Sequence, residues 1–181
     1  MYLFRNARVY DGRSKVARPG SDVLVEGNTI REVSSKPIRS AKAKVFDLKG
    51  RTLMPGLIDC HVHVVATMAN LAKNATMPTS FTALKSVAVM GAMIQRGFTT
   101  VRDASGADYG LKLAVEEKLF HAPRLFISGK SLSQTGGHGD MRGRLDDRDF
   151  CLCHARVGLI SRVADGVDAV RRAVREEIKA G

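Results

Sequence analysis

Two histidines one residue apart, closing an apolar run, constrain this chain more than any other feature. The run is Met54-Pro55-Gly56-Leu57-Ile58-Asp59-Cys60-His61-Val62-His63. In an extended strand, side chains alternate between faces. The spacing therefore predicts His61 and His63 on one face and Cys60 and Val62 on the other, with Cys60 packed into the core. Two imidazoles on one face at a strand end are a start for a transition-metal site, because neutral imidazole suits Zn²⁺ and related ions. A bare His-x-His pair can also be structural. The Pro-Gly-Leu-Ile-Asp approach favours metal ligation.

Around this run the chain changes character. Residues 1–55 read as short strands punctuated by Gly12, Pro19, Gly20 and Pro37. Tyr2–Phe4 and Arg8–Tyr10 flank Arg5-Asn6-Ala7. Val23–Val25 and Thr29–Val33 flank Glu26-Gly27-Asn28, a hairpin signal. Lys44–Leu48 and Arg51–Met54 bracket Lys49-Gly50. From residue 56 the pattern alternates strand and helix, which favours a parallel sheet. Strands are expected at Gly56–His63, Thr99–Arg102 and Arg124–Ser128. A first helix, capped by Thr79 or Ser80, carries Leu84, Val87, Gly91 and Ile94 at helical spacing and ends at Gly97. A second carries Leu111, Ala114, Val115 and Leu119. A third carries Val167, Val170, Val174 and Ile178, with Asp165 or Asp168 near its start and Lys179 near its end to suit the helix dipole. The glycine-rich segment from about 129 to 160 reads as one long loop, a length that points to function or disorder.

The residues from Val45 to His63 resemble the entry to the metal-dependent amidohydrolase superfamily. Three further stretches, Gly97-Phe98-Thr99-Thr100-Val101-Arg102-Asp103-Ala104-Ser105-Gly106, Ala122–Gly129 and Thr135-Gly136-Gly137-His138-Gly139-Asp140, resemble its imidazolonepropionase-like branch, which includes Xaa-Pro dipeptidases (prolidases). The resemblance implies an α/β fold: a small β-sandwich segment over 1–55, then the first three βα units of a (β/α)8 TIM barrel over 56–181. It implies two metal ligands, His61 and His63, for Zn²⁺ or another divalent ion, with a binuclear centre compatible with the complete parent. The activity implied is hydrolysis of an amide bond in a dipeptide, an acyl-amino acid or a cyclic amide by a metal-activated water. A full barrel needs eight such units and about 250 residues. The 181 residues therefore read as an amino-terminal portion, expected to be inactive alone and to self-associate or pair with the missing part of the barrel.

In such barrels the chemistry gathers at the carboxyl ends of the strands. His61 and His63 end the first strand, Asp103 lies just past the second, and His138 lies in the loop after the third. Asp103 has two readings. It can fix the turn Asp103–Gly106 by accepting backbone N–H bonds, the favoured one, or it can orient a ligand or contact substrate. By the resemblance His138 belongs to the substrate pocket; an exposed loop histidine is the alternative. Cys151-Leu152-Cys153-His154 lacks the spacing of a structural zinc motif, and His121 reads as structural or exposed.

The net charge is +11. Its excess is spread along the chain, with no basic run longer than Arg171-Arg172. Nucleic-acid modules concentrate charge and interleave aromatics, so that class is disfavoured. A noncatalytic fragment or assembly subunit stays open as a further class. No apolar stretch reaches a membrane span. Three cysteines without framework spacing, and no signal-peptide pattern, lead to an expected cytoplasmic setting.

Overall fold

In the computed structural model the described residues are 1–144 and 159–181. The chain divides into two compact units, Met1–Pro55 and Gly56–Gly181.

The first unit is one mixed sheet of β1 (Tyr2–Val9), β2 (Arg18–Glu26), β3 (Thr29–Ser34), β4 (Lys44–Asp47) and β5 (Thr52–Leu53). Its order is β3-β2-β1-β4, with β5 also on β1. The expected hairpin joins β2 to β3 in antiparallel register. The expected break at Arg5-Asn6-Ala7 is absent, because β1 runs through it with a register shift. Asn6 takes φ 53° there and its side chain donates to Asp47 Oδ1 at 2.9 Å. A left-handed Asn has the local chemistry of a turn, so a bulge inside a strand reads as a gap between two. β4 and β5 both run parallel to β1 instead of pairing with each other. Leu3, Leu24 and Ile38 make the core on one face. Tyr2, Phe4 and Phe46 gather on the other, with the Phe4 and Phe46 rings stacked 5.5 Å apart.

The second unit holds β6 (Leu57–Val62), α1 (Leu71–Ala75), α2 (Thr79–Gln95), β7 (Phe98–Asp103), α3 (Tyr109–Glu116), β8 (Arg124–Ile127), β9 (Ser131–Ser133), β10 (Ser161–Val163) and α4 (Gly166–Ala180). β6, β7 and β8 form a parallel sheet in that order. Val64, Val65, Met90, Val101, Ala107, Leu111, Leu125 and Ile160 make one buried cluster. Gly97 closes α2 at φ 90°, its N–H donating to Ile94 O at 2.9 Å, as a C′ glycine does.

Two further local expectations are corrected. α2 begins after Pro78 with no side-chain cap, and the face it buries is Thr82, Ser86 and Met90, while Leu84 is exposed. Ser86 satisfies its hydroxyl on Thr82 O at 2.9 Å, so a polar stripe is buried where apolar periodicity finds no signal. The segment after β8 is not all loop: β9 pairs in parallel with β10 some thirty residues on, and three-residue strands carry too little pattern to read. α4 carries the expected apolar line on one face, and among the described residues that line is left open: Val167 is 71% and Ile178 75% exposed, and Ala173 is the buried position. Its acidic residues dock it instead, Glu176 and Glu177 on Arg162 and Glu177 on the Lys130 N–H.

Exposed apolar faces of this kind drive association, and β6 and β8 are the edge strands of their sheet. We expect concentration-dependent self-association in sedimentation velocity, reduced when Val167 and Ile178 are both replaced by Lys. A chain that stays monomeric at all concentrations would contradict this.

Candidate metal centre at the end of strand β6

The pairing of β6 with β7 contains a bulge. Ile58 pairs with Thr100, Asp59 with Val101, and Val62 with Asp103. Cys60 and His61 together therefore oppose Arg102 alone. Paired residues on parallel strands share a face of the sheet. Val101 and Asp103 are both buried, so Asp59 and Val62, three apart, fall on the same covered face. The bulge breaks the alternation that placed Cys60 in the core, and Cys60 is exposed. Two bonds hold the bulge. The His61 N–H donates to Asp59 Oδ1 at 3.0 Å, and Arg102 Nε donates to Cys60 O at 2.8 Å. His61 and His63 are both exposed. Their ring centroids lie 5.2 Å apart with the planes nearly perpendicular, at 87°.

The chain beyond His63 is held by two buried polar side chains. Asp103, 0% exposed, accepts the Val64 N–H on Oδ2 at 2.6 Å. On Oδ1 it accepts the N–H groups of Ser105 and Ala107, each at 3.0 Å. These bonds match the turn-fixing reading of Asp103. Burial pushes its carboxyl up from the usual range, against the pull of the three N–H donors and the neighbouring His63. Asn74, 1% exposed, donates to Val65 O and accepts the Thr67 N–H and hydroxyl, each at 3.0 Å. The turn also packs closely. Gly106 has φ 104°, and a Cβ there would lie 2.7 Å from Val65 Cγ2.

Asn74 falls in a stretch of small and polar residues that carries no helical pattern of its own. The available signal was Asn70, whose side chain caps α1 by accepting the Lys73 N–H at 2.9 Å. That cap closes residues 71–75 into a short helix and holds Asn74 against the turn at Val65 and Thr67.

His138 lies in a separately braced loop and is exposed. Asp140 accepts the Gly136 N–H at 2.9 Å and pairs with Arg142 at 2.7 Å. Asp165 accepts both the N–H and the hydroxyl of Thr135, so its carboxylate ties this loop to the start of α4 and does not cap the helix. Among the described residues, His61 and His63 are brought together, Asp103 joins them through the backbone, and no hydrogen bond or ring contact links His138 to any of the three. No cluster of three or more His, Cys, Asp or Glu is gathered for a metal among the described residues. The two imidazoles alone are the donor set that fits a divalent ion there, and they fit it as part of a coordination shell. Cys151, Cys153 and His154 lie outside the described residues. Among those described, no helix is long and apolar enough to cross a membrane.

The sequence profile of the Amidohydrolase family matches residues 52–181, and the chain belongs to that family. It is 34% identical over 140 residues to ochratoxinase of Aspergillus niger, covering 71% of this chain and 29% of that protein. The crystal structure of a prolidase complexed with N-methylphosphonate-L-proline matches with a TM-score of 0.92 and 49% identity over 99% of this chain and 44% of the other. A Xaa-Pro dipeptidase with methionine bound in its active site matches with a TM-score of 0.81 and 27% identity, over 99% and 45%. The chain thus spans under half the length of these relatives.

The His138 loop yields a pH test. The carboxyl of Asp140 is held below its ordinary value chiefly by the Arg142 side chain, and that of Asp165 by the Thr135 hydroxyl and N–H. A lowered folded pKa gives stability that is complete above the unfolded value, about 3.9 for Asp, and is lost as pH falls through the lower folded one. Protection factors of the Thr135 and Gly136 amides should therefore hold from neutral pH to about 4 and drop only below it. A loss that begins near neutrality would contradict the bracing described.

Proposed function

We propose that this chain carries the first two metal ligands, His61 and His63, of a metal-dependent hydrolase that cleaves amide bonds. The observation that carries the reading is the histidine pair itself: two adjacent imidazoles on an exposed face at the carboxyl end of a parallel strand, in a member of the Amidohydrolase family. The strand–helix order from β6 to α4 is what the first three units of a (β/α)8 barrel require, with the active site at the strands' carboxyl ends.

A Zn²⁺ or similar divalent ion at such a site, when bound, supplies Lewis acidity toward an amide carbonyl and lowers the pKa of water. The residues of this chain contribute the rest of what can be assigned. His61 and His63 hold the ion, singly or as part of a binuclear centre. Asp103 orients the strand end that carries them and, in the alternative role, faces substrate. His138, on a loop after the third barrel strand, contacts substrate. The substrate class is a dipeptide, an acyl-amino acid or a cyclic amide. Similarity at 49% identity to a protein described as a prolidase favours a dipeptide with proline on the leaving side. Catalytic zinc sites hold three protein ligands, so the chain alone is expected to be inactive. The remaining ligands and the proton-transfer group come from the rest of the barrel.

Co-expression of residues 1–181 with the carboxyl-terminal part of a close full-length relative tests this. With Zn²⁺ added, a dipeptide panel that includes Xaa-Pro substrates should show turnover. Chelator and His61→Ala should each reduce it at least about a hundredfold, as expected when a direct ligand is removed. Turnover that survives both would place the chemistry elsewhere.

A further inference from the structure

We infer that Asp103 is a positioning residue for His63, acting through the peptide groups on either side of it. The inference rests on the reading of His63 as a metal ligand. It starts from a weakness in the sheet. Among the described residues β6 pairs with β7 alone, and its ladder to β7 is broken by the Cys60–His61 bulge just before His63. The ladder resumes for the single pair Val62–Asp103 and ends there, so no regular pairing fixes the peptide that follows His63.

Bonds stand on both sides of His63, the last of the ladder before it and replacements for a ladder after it. Val62 O accepts the Ala104 N–H at 2.8 Å, and His63 O accepts the Ala66 N–H at 3.1 Å. The Val64 N–H donates to Asp103 Oδ2 at 2.6 Å. Residues 103 and 104 thus grip the chain immediately before and after His63. The carboxylate divides its work: Oδ2 serves the histidine strand, while Oδ1 serves Ser105 and Ala107 of its own turn. A fully buried acceptor of this kind is costly to leave half-used, so the turn and the strand end form together. The direction in which the His63 ring leaves the backbone is then set by β7, an inner strand of the sheet.

The division of work supplies a selective test. In Asp103→Asn one oxygen can still serve Ser105 and Ala107, but the amide NH2 meets the Val64 N–H, donor against donor. Ala104→Pro removes the other half of the grip without touching the carboxylate, and serves if Asp103→Asn does not fold. Leu111→Ala, in the core under α3, lowers stability without touching the grip. The full chain and these variants would be titrated with Zn²⁺ by calorimetry. The metal-free proteins would be followed by NMR for Val64 amide exchange and for the His63 ring signals. Asp103→Asn, or Ala104→Pro in its place, should bind Zn²⁺ about tenfold more weakly or worse, and should broaden or shift the His63 ring signals. In Asp103→Asn the Val64 amide should also lose protection. Leu111→Ala should melt earlier yet bind Zn²⁺ as wild type does. Unchanged affinity and unchanged His63 ring signals in the grip variants would overturn the inference. If Zn²⁺ binding in wild type is indifferent to His61→Ala and His63→Ala, the metal reading falls. The positioning role is then decided by the ring signals alone, which must still respond to Asp103→Asn.

Discussion

The carboxylate of Asp103 accepts hydrogen bonds from Val64, Ser105 and Ala107, and with them the ends of β6 and β7 become one piece. The arrangement follows from what a strand end needs. Backbone N–H groups that leave a ladder in a water-excluded place must find other acceptors. A carboxylate has two oxygens and can serve several donors. Burial pushes its carboxyl up, and the three N–H donors pull against that shift. Around it Asn74 repeats the device one turn further on, and Gly106 lets the turn approach Val65 more closely than any side chain would allow.

The proximity of the two histidine rings is legible because it depends only on period two over three residues, of which His61 alone belongs to the bulge. Cys60 was misplaced for the complementary reason. Parity counted back from His61 crosses the bulge, and a bulge depends on the partner strand, which local sequence does not name. The same logic separates the other outcomes. The strands at 57–62, 98–103 and 124–127 announce themselves by composition and alternation. The buried face of α2 does not, because it packs Thr82 and Ser86 beside Met90 and hydroxyls look like surface. Asp103 could be read as a turn former from Asp-Ala-Ser-Gly, but its bond to Val64 spans 39 positions and leaves no local trace.

The apolar line of α4 is a different kind of signal. Val167, Val170, Val174 and Ile178 were read correctly as one face, yet that face is exposed among the described residues, and α4 docks through Glu176 and Glu177 instead. Periodicity reports that a face is built to be covered; it does not report by what. The prolidase and dipeptidase structures that match nearly all of this chain are more than twice as long.

The central claim is that His61 and His63 bind a divalent ion together. X-ray absorption at the zinc edge of the Zn²⁺-loaded chain tests it most directly. The account predicts two imidazole nitrogens at about 2.0–2.1 Å from the metal, with the remaining positions filled by light oxygen donors. One imidazole should disappear in His61→Ala and one in His63→Ala. A spectrum with no imidazole scattering, or one unchanged by both substitutions, would contradict the account.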